Sequence, residues 1–348
     1  MMRRGLGLLL LLGVPFSGFG EGVDPAELLV RMSDAVRETT YSGTVVYSSE
    51  ARMETLRVLH EYHDGSVRER LTSLTGDARE IYRDNNEVIC VLPEQKIITV
   101  DRRAHQAASL LPSLRQENIA ALGDQYRFEH IAEERIAGRM CRGVRVLPQD
   151  DLRYGYEYWL DAETNLPLRV VVLDADGNRI EQMMFTDVTF TDGFPDERFE
   201  RAPTSEDYRV IRHADESPRL RVPARWSVSE SPPGYRKISH SVRKGADDRV
   251  PVEHFLFSDG LATISVYGAN AADSDAADVA PAKSHMGALN VMSRVIDGHQ
   301  VTVVGEVPVA AVEWIAQRLQ LTPAEDSASA QASPVPEPAL TGEDGGDD

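Results

Sequence analysis

Between Tyr41 and Phe190 the chain runs through eleven short segments rich in β-branched and aromatic residues. They span 41–48, 52–62, 66–74, 79–83, 88–92, 96–100, 126–135, 139–148, 154–160, 168–173 and 179–190. Asp64-Gly65, Asp84-Asn85-Asn86, Ala137-Gly138 and Asp176-Gly177-Asn178 fall between them, and such residues accept the tight turns of antiparallel hairpins. A parallel partner would need a crossover of a dozen or more residues. The spacing therefore predicts one large, strongly curved antiparallel sheet. One helix precedes it: Pro25 suits a first helical position, and Leu28, Leu29, Met32, Ala35 and Val36 form an apolar stripe. Ala104 to Asp124 reads as short helices broken at Pro112.

Several of these strands are apolar on both faces. Val88, Cys90 and Leu92 oppose Ile89 and Val91, and Val170 and Val172 oppose Val171 and Leu173. A sheet with one wet face alternates cleanly, so both faces must be covered in places. A helix inside a half-barrel covers one face. A second domain or a lipid-sized cavity would account for the other, and Val46, Ile89, Val91, Val170, Val172 and Met184 are the candidates for meeting acyl chains.

A chain of 348 residues exceeds one ordinary core, and composition marks where it divides. Residues 1–20 read as a secretory leader: Arg3 and Arg4, an apolar run from Gly5 to Val14, and Gly18 and Gly20 before the cleavage point. That run is about half of the roughly 20 residues a membrane span requires. Export is the expectation, into the periplasm where the cell has two membranes. Residues 21–203 form the large domain, and 204–224 a basic, Pro-containing linker. Residues 225–321 form a smaller domain, with strands at 236–243, 252–258, 261–268, 288–296 and 299–307. An Ala/Asp-rich loop occupies 269–283. A closing helix from Pro308 is expected to bury Val309, Val312, Ile315, Ala316 and Leu319. Residues 322–348 carry seven acids, no base and no aromatic residue, too little apolar surface to fold.

The charge balance and the motif search exclude more than they select. Lys and Arg number 37 against 56 Asp and Glu, a net −19 that opposes nonspecific nucleic-acid binding. There is no GxSxG elbow, Walker loop or HExxH motif, so neither an enzyme nor a cofactor is expected. His60 and His63 would point to opposite faces of a strand, which opposes a metal site. Asp174 to Asn178 suits a hairpin turn better than a calcium loop, because its glycine comes too early and no bidentate Glu follows. Cys90 and Cys141 are the only cysteines. A bridge between them would stabilise by about 4 kcal/mol in the chain-entropy model, and two free thiols in neighbouring strands fit equally.

The positive features are arginines. Arg68 and Arg70 share a strand face, Arg102-Arg103 end another strand, and 201–244 holds ten bases against five acids. Guanidinium groups take carboxylate or phosphate bidentately, so Arg68, Arg70, Arg219 and Arg221 are the candidates for a lipid head group or an acidic partner. Ordinary pairing with local acids is the plainer role for any single one.

The run YSGTVVYSSEARMETLRVLHEYHDGSVRERLTSLTGDAREIYRDNNEVICVLP (41–93) resembles the amino-terminal domain of the MucB/RseB family. HFLFSDGLATISVYG (254–268) and GALNVMSRVIDGHQVTVVGEVP (287–308) resemble its carboxy-terminal domain. WLDAETNLPLRVVVLDADGNRIEQMMF (159–185) is also similar to the LolA/LolB lipoprotein carriers. The resemblance implies an α+β fold: an unclosed antiparallel β-barrel with inserted helices, plus a smaller sheet-and-helix domain. It implies a periplasmic protein that binds the periplasmic domain of a MucA/RseA-like anti-sigma factor, shields it from regulated proteolysis and is released by lipopolysaccharide or another lipid. The alternative is a periplasmic lipid or lipoprotein carrier, which would not need residues 251–320. Oligomeric state stays open between monomer and homo-oligomer.

Overall fold

The computed structural model describes residues 23–50, 52–84, 87–101, 111, 119, 122–200, 207–213, 225–244, 251–269 and 282–321. The leader, Arg102, Arg103, most of 104–124, Arg219, Arg221, residues 270–281 and the acidic tail lie outside them.

Helix α1 (Pro25–Glu38) starts where the Asp24 carboxylate accepts the Ala26 amide at 2.9 Å. It leads directly into a twelve-stranded sheet. The first strands are β1 (Tyr41–Ser49), β2 (Met53–His63), β3 (Ser66–Ser73), β4 (Glu80–Arg83), β5 (Val88–Leu92) and β6 (Ile97–Asp101). β7 (Tyr126–Ile136), β8 (Arg139–Pro148), β9 (Gly155–Asp161), β10 (Pro167–Leu173) and β11 (Arg179–Phe190) follow. All eleven expected strands are present, each within a residue of its expected bounds. Asp64 and Gly65 both adopt positive φ, 48° and 81°, as a two-residue hairpin turn requires.

With β12 (Arg209–His213), the order across the sheet is β12-β6-β5-β4-β3-β2-β1-β11-β10-β9-β8-β7, open at both ends among the described residues. α1 touches both β2 and β7, six places apart in that order, so the sheet curls around the helix. Leu28, Leu29, Met32 and Val36 of α1 meet Val45, Val58, Val144, Tyr158 and Phe185 in one core.

Two elements depart from the sequence-based expectation. β12 (Arg209–His213) comes from the basic linker, and it pairs parallel to β6. The long path from β11 supplies the crossover that a parallel neighbour needs. Second, the small domain has six strands, not five, in the order β14-β15-β16-β19-β18-β17. These are β14 (Arg236–Lys244), β15 (Pro251–Ser258), β16 (Thr263–Ala269), β17 (Ala282–Met286), β18 (Leu289–Ile296) and β19 (His299–Gly305). β17, at the end of the expected loop, is exposed along its whole length. Helix α2 (Val309–Arg318) packs on β18 and β19 and buries Ala311, Val312, Ile315 and Ala316. Val309, expected on the buried stripe, is exposed because it opens the helix. β13 (Trp226–Val228) and β20 (Leu319–Leu321) pair beside this sheet.

Cys90 and Cys141 are unbridged. Cys90 lies in β5 and Cys141 in β8, with seven strands between them in the sheet order, so they are not neighbours either. Cys141 is buried and Cys90 half-buried. Burial pushes the Cys141 thiol up to about 11, which keeps it protonated.

Candidate functional site

The two sheets meet at one built junction. The turn after β15 presents Asp259, and the loop between β8 and β9 presents Arg153. Arg153 Nε donates to Asp259 Oδ2 at 2.7 Å, and its Nη2 to the Pro233 carbonyl at 2.6 Å; Asp150 takes Nη1. The Tyr126 hydroxyl donates to the same Asp259 oxygen at 3.0 Å. Asp259 Oδ1 accepts the amides of Leu261 and Ala262, so every lone-pair direction of this buried carboxylate is used. The guanidinium lies 4.6 Å from the centre of the Tyr235 ring. Burial works against the charge on Arg153, but Tyr235, Asp259 and Asp150 outweigh it, and the group stays protonated. Gly234 belongs here for space: a Cβ on it would fall 2.6 Å from Arg153 Nη2.

Further contacts extend the junction. Asn290 donates to the Tyr154 hydroxyl at 2.9 Å, and the Ala288 amide donates to Glu181 at 2.6 Å. Leu261 of the small domain packs on the large core, and Leu152 of the large domain packs on the small one. On the small-domain side, the buried Glu253 accepts the amides of Arg225 at 2.6 Å and Trp226 at 3.4 Å, fixing where the linker arrives. Polar contacts with buried ends, placed between two separate cores, hold the two sheets in one arrangement.

The arginines singled out in the sequence have a different task. Arg68 Nε donates to Glu61 at 2.8 Å and Nη1 to Asp196 at 2.7 Å, and the guanidinium lies 4.5 Å over the Phe199 ring. Arg70 donates to the Arg198 carbonyl at 3.0 Å and to Glu80 at 3.1 Å. Both strap the segment 194–199 onto the outer face of the sheet. Burial pushes the Glu61 carboxyl up, but the Phe194 amide and Arg68 outweigh it and hold it below the usual carboxylate range. One cleft beside Arg68 is lined by Glu61, Asp64, Asp192 and Asp196, and another by Glu69, Asp84 and Glu87 together with Arg83. Carboxylates outnumber guanidinium groups in both, which disfavours an anionic head group. Arg219 and Arg221 lie outside the described residues.

The six apolar candidates do not line one cavity. Directly opposed residues share a face, so Val170, opposite Met183 and Tyr158, points to the α1 core, and Val172 with it. Val46 opposes Met184 on the other face, and Ile89 and Val91 lie there too. Ile89 and Val91 are already covered, in a small cluster with Tyr82, Ile98, Val100 and Tyr208. Apolarity alone gave these six positions, and the two-residue period separates them. Sequence reasoning passed over Arg153, Asp259, Tyr126 and Asn290. An Arg-Tyr pair in a loop and an Asp in a turn carry no local sign of pairing 106 residues apart. Among the described residues, no group of three or more His, Cys, Asp or Glu is placed to hold a metal ion.

Comparison with known proteins bears on the whole assembly. The MucB/RseB N-terminal domain model matches residues 24–203, and the MucB/RseB C-terminal domain model matches 221–320. The chain is 31% identical over 314 residues to the sigma-E factor regulatory protein RseB of Salmonella typhimurium, covering 88% of this chain and 94% of that one. It is 31% identical over 322 residues to the sigma factor AlgU regulatory protein MucB of Pseudomonas aeruginosa, covering 90% and 96%. Among solved structures, a chain in the Pseudomonas aeruginosa MucA/MucB complex superposes with a TM-score of 0.68 at 28% identity, over 86% of this chain and 100% of that one. Two domain models side by side, full-length relatives and a superposition that spans both sheets agree: this chain belongs to the MucB/RseB family.

Proposed function

We propose that this protein works in the periplasm, its leader removed after Gly20, as a regulator that binds the periplasmic region of a membrane-spanning anti-sigma factor. By covering that region it keeps a regulated protease away and so restrains an envelope-stress sigma factor. The observation that carries this reading is a superposition over 86% of this chain, enough to take in both sheets, on a structure of MucB with MucA. Residues 21–203 and 225–321 act together, because the Arg153–Asp259 junction presents them as one surface. Binding and shielding require no catalytic step, and occlusion alone denies a protease its extended substrate. Lipopolysaccharide or another lipid releases the client only by binding the released state more tightly than the shielding state.

A tagged protein used to recover partners from a periplasmic and membrane extract tests the proposal. Recovery of an anti-sigma factor supports it. Stoichiometric lipoproteins without an anti-sigma factor would overturn it in favour of a carrier.

A further inference from the structure

Among the described residues, the strand contributed by the linker leaves one edge of the large sheet open. β12 ends the sheet order, and among the described residues no strand pairs with its outer side. The Arg209 amide donates to the Lys96 carbonyl at 2.9 Å, so it faces β6. In an extended strand the backbone groups alternate, which turns those of Ile211 and His213 inward and those of Val210 and Arg212 outward. An outward row of unpaired donors and acceptors is a template for another strand.

Its chemistry is selective. Arg209, Val210 and Arg212 are all exposed, Val210 and Arg212 on one face of the strand and Arg209 on the other, so a base flanks the edge on each face of a chain with 56 acids against 37 bases. The strand is also anchored enough to serve as a platform. Tyr208, like Ile98 and Val100, packs against the cluster of Tyr82, Ile89 and Val91, and Lys96 pairs with Asp207 at 3.4 Å.

We propose that the outer edge of β12 receives an extended acidic segment of the anti-sigma partner, main-chain paired to Val210 and Arg212 and charge-paired to Arg209 and Arg212. This rests on the regulatory function proposed above and names where the client adds its strand.

The test is amide exchange on the full chain, free and saturated with the periplasmic region of its anti-sigma factor, together with affinity measurements. The Val210 and Arg212 amides are expected to slow at least tenfold in the complex. Val210→Pro removes an outward donor only, and edge strands tolerate such a proline. It should melt with the native protein and bind the client at least tenfold more weakly. The R209E/R212E double variant should bind weakly at low salt and lose most of the salt dependence. Unchanged exchange at both amides, with native affinity in Val210→Pro, would overturn the assignment and leave the arginines as charges guarding an edge. So would protection already present in the free chain that disappears when 322–348 is removed, since the occupant would then be its own acidic tail. A native protein that does not bind the client overturns the regulatory function itself, and this assignment with it.

Discussion

Arg153 Nε lies 2.7 Å from Asp259 Oδ2, and neither side chain is exposed to solvent. The pair joins a loop of the twelve-stranded sheet to a turn of the six-stranded one. Buried ion pairs add little net stability over apolar replacements, but they specify a single arrangement when every partner is satisfied. Here that arrangement is the relative placement of two domains.

Removing one member of the pair exposes its importance. Asp259→Ala leaves Arg153 without its main partner and the Tyr126 hydroxyl without an acceptor. The expected loss is about 3–5 kcal/mol in urea unfolding. The R153M/D259A double variant should lose less than the sum of the two single variants. A loss below about 1 kcal/mol for Asp259→Ala would show that the junction is held elsewhere.

Acid should weaken the large domain through His60. Burial pushes its imidazole below the usual 6.5, only partly offset by the hydrogen bond to the Thr39 carbonyl. The folded protein therefore resists a proton that the unfolded chain accepts. Stability from this group is complete above about pH 6.5 and falls as pH drops below it, until the folded imidazole titrates as well. Melting temperatures from pH 7.5 to 5.5 should fall less steeply in His60→Asn than in the native protein; equal slopes would rule His60 out.

Arg68→Met should loosen the strap over the outer face. Glu61 would keep the Phe194 amide at 2.8 Å but lose its guanidinium. Because Arg68 is partly exposed, the stability loss should be only about 1 kcal/mol. Trypsin cleavage after Arg198 is the sharper readout and should accelerate severalfold. Native cleavage rates would mean that Phe194 and Phe199 hold the segment unaided.

Gly268 sits directly beneath Trp226. A Cβ there would fall 2.6 Å from the indole Nε1, and Trp226 is buried in the small-domain core. Gly268→Ala should cost about 1–3 kcal/mol by overpacking, seen calorimetrically as an earlier transition. An unchanged transition would mean that the indole can shift without loss.

Strand positions were legible because the sheet is built from local hairpins, whose alternation and turn residues are written into neighbouring positions. Asp64-Gly65 and the Pro25 helix start are of this kind. β12 was not legible: RVIRH lies among prolines and arginines that read as linker, and β6, not its own pattern, makes it a strand. β17 carries no apolar alternation because none of it is buried. The roles of Arg68 and Arg70 were half legible. Their shared face follows from the strand period, but Asp196 and the Arg198 carbonyl, 128 residues away, are known only from the fold. The junction residues were silent for the same reason.

The central claim is that one two-domain surface shields a client polypeptide. The most direct measurement is the rate at which the regulated protease cuts the anti-sigma periplasmic region, alone, with equimolar protein, and with protein plus lipopolysaccharide. The account predicts cleavage slowed in proportion to bound protein and restored by lipopolysaccharide. Full-speed cleavage of a client shown to be bound would contradict it.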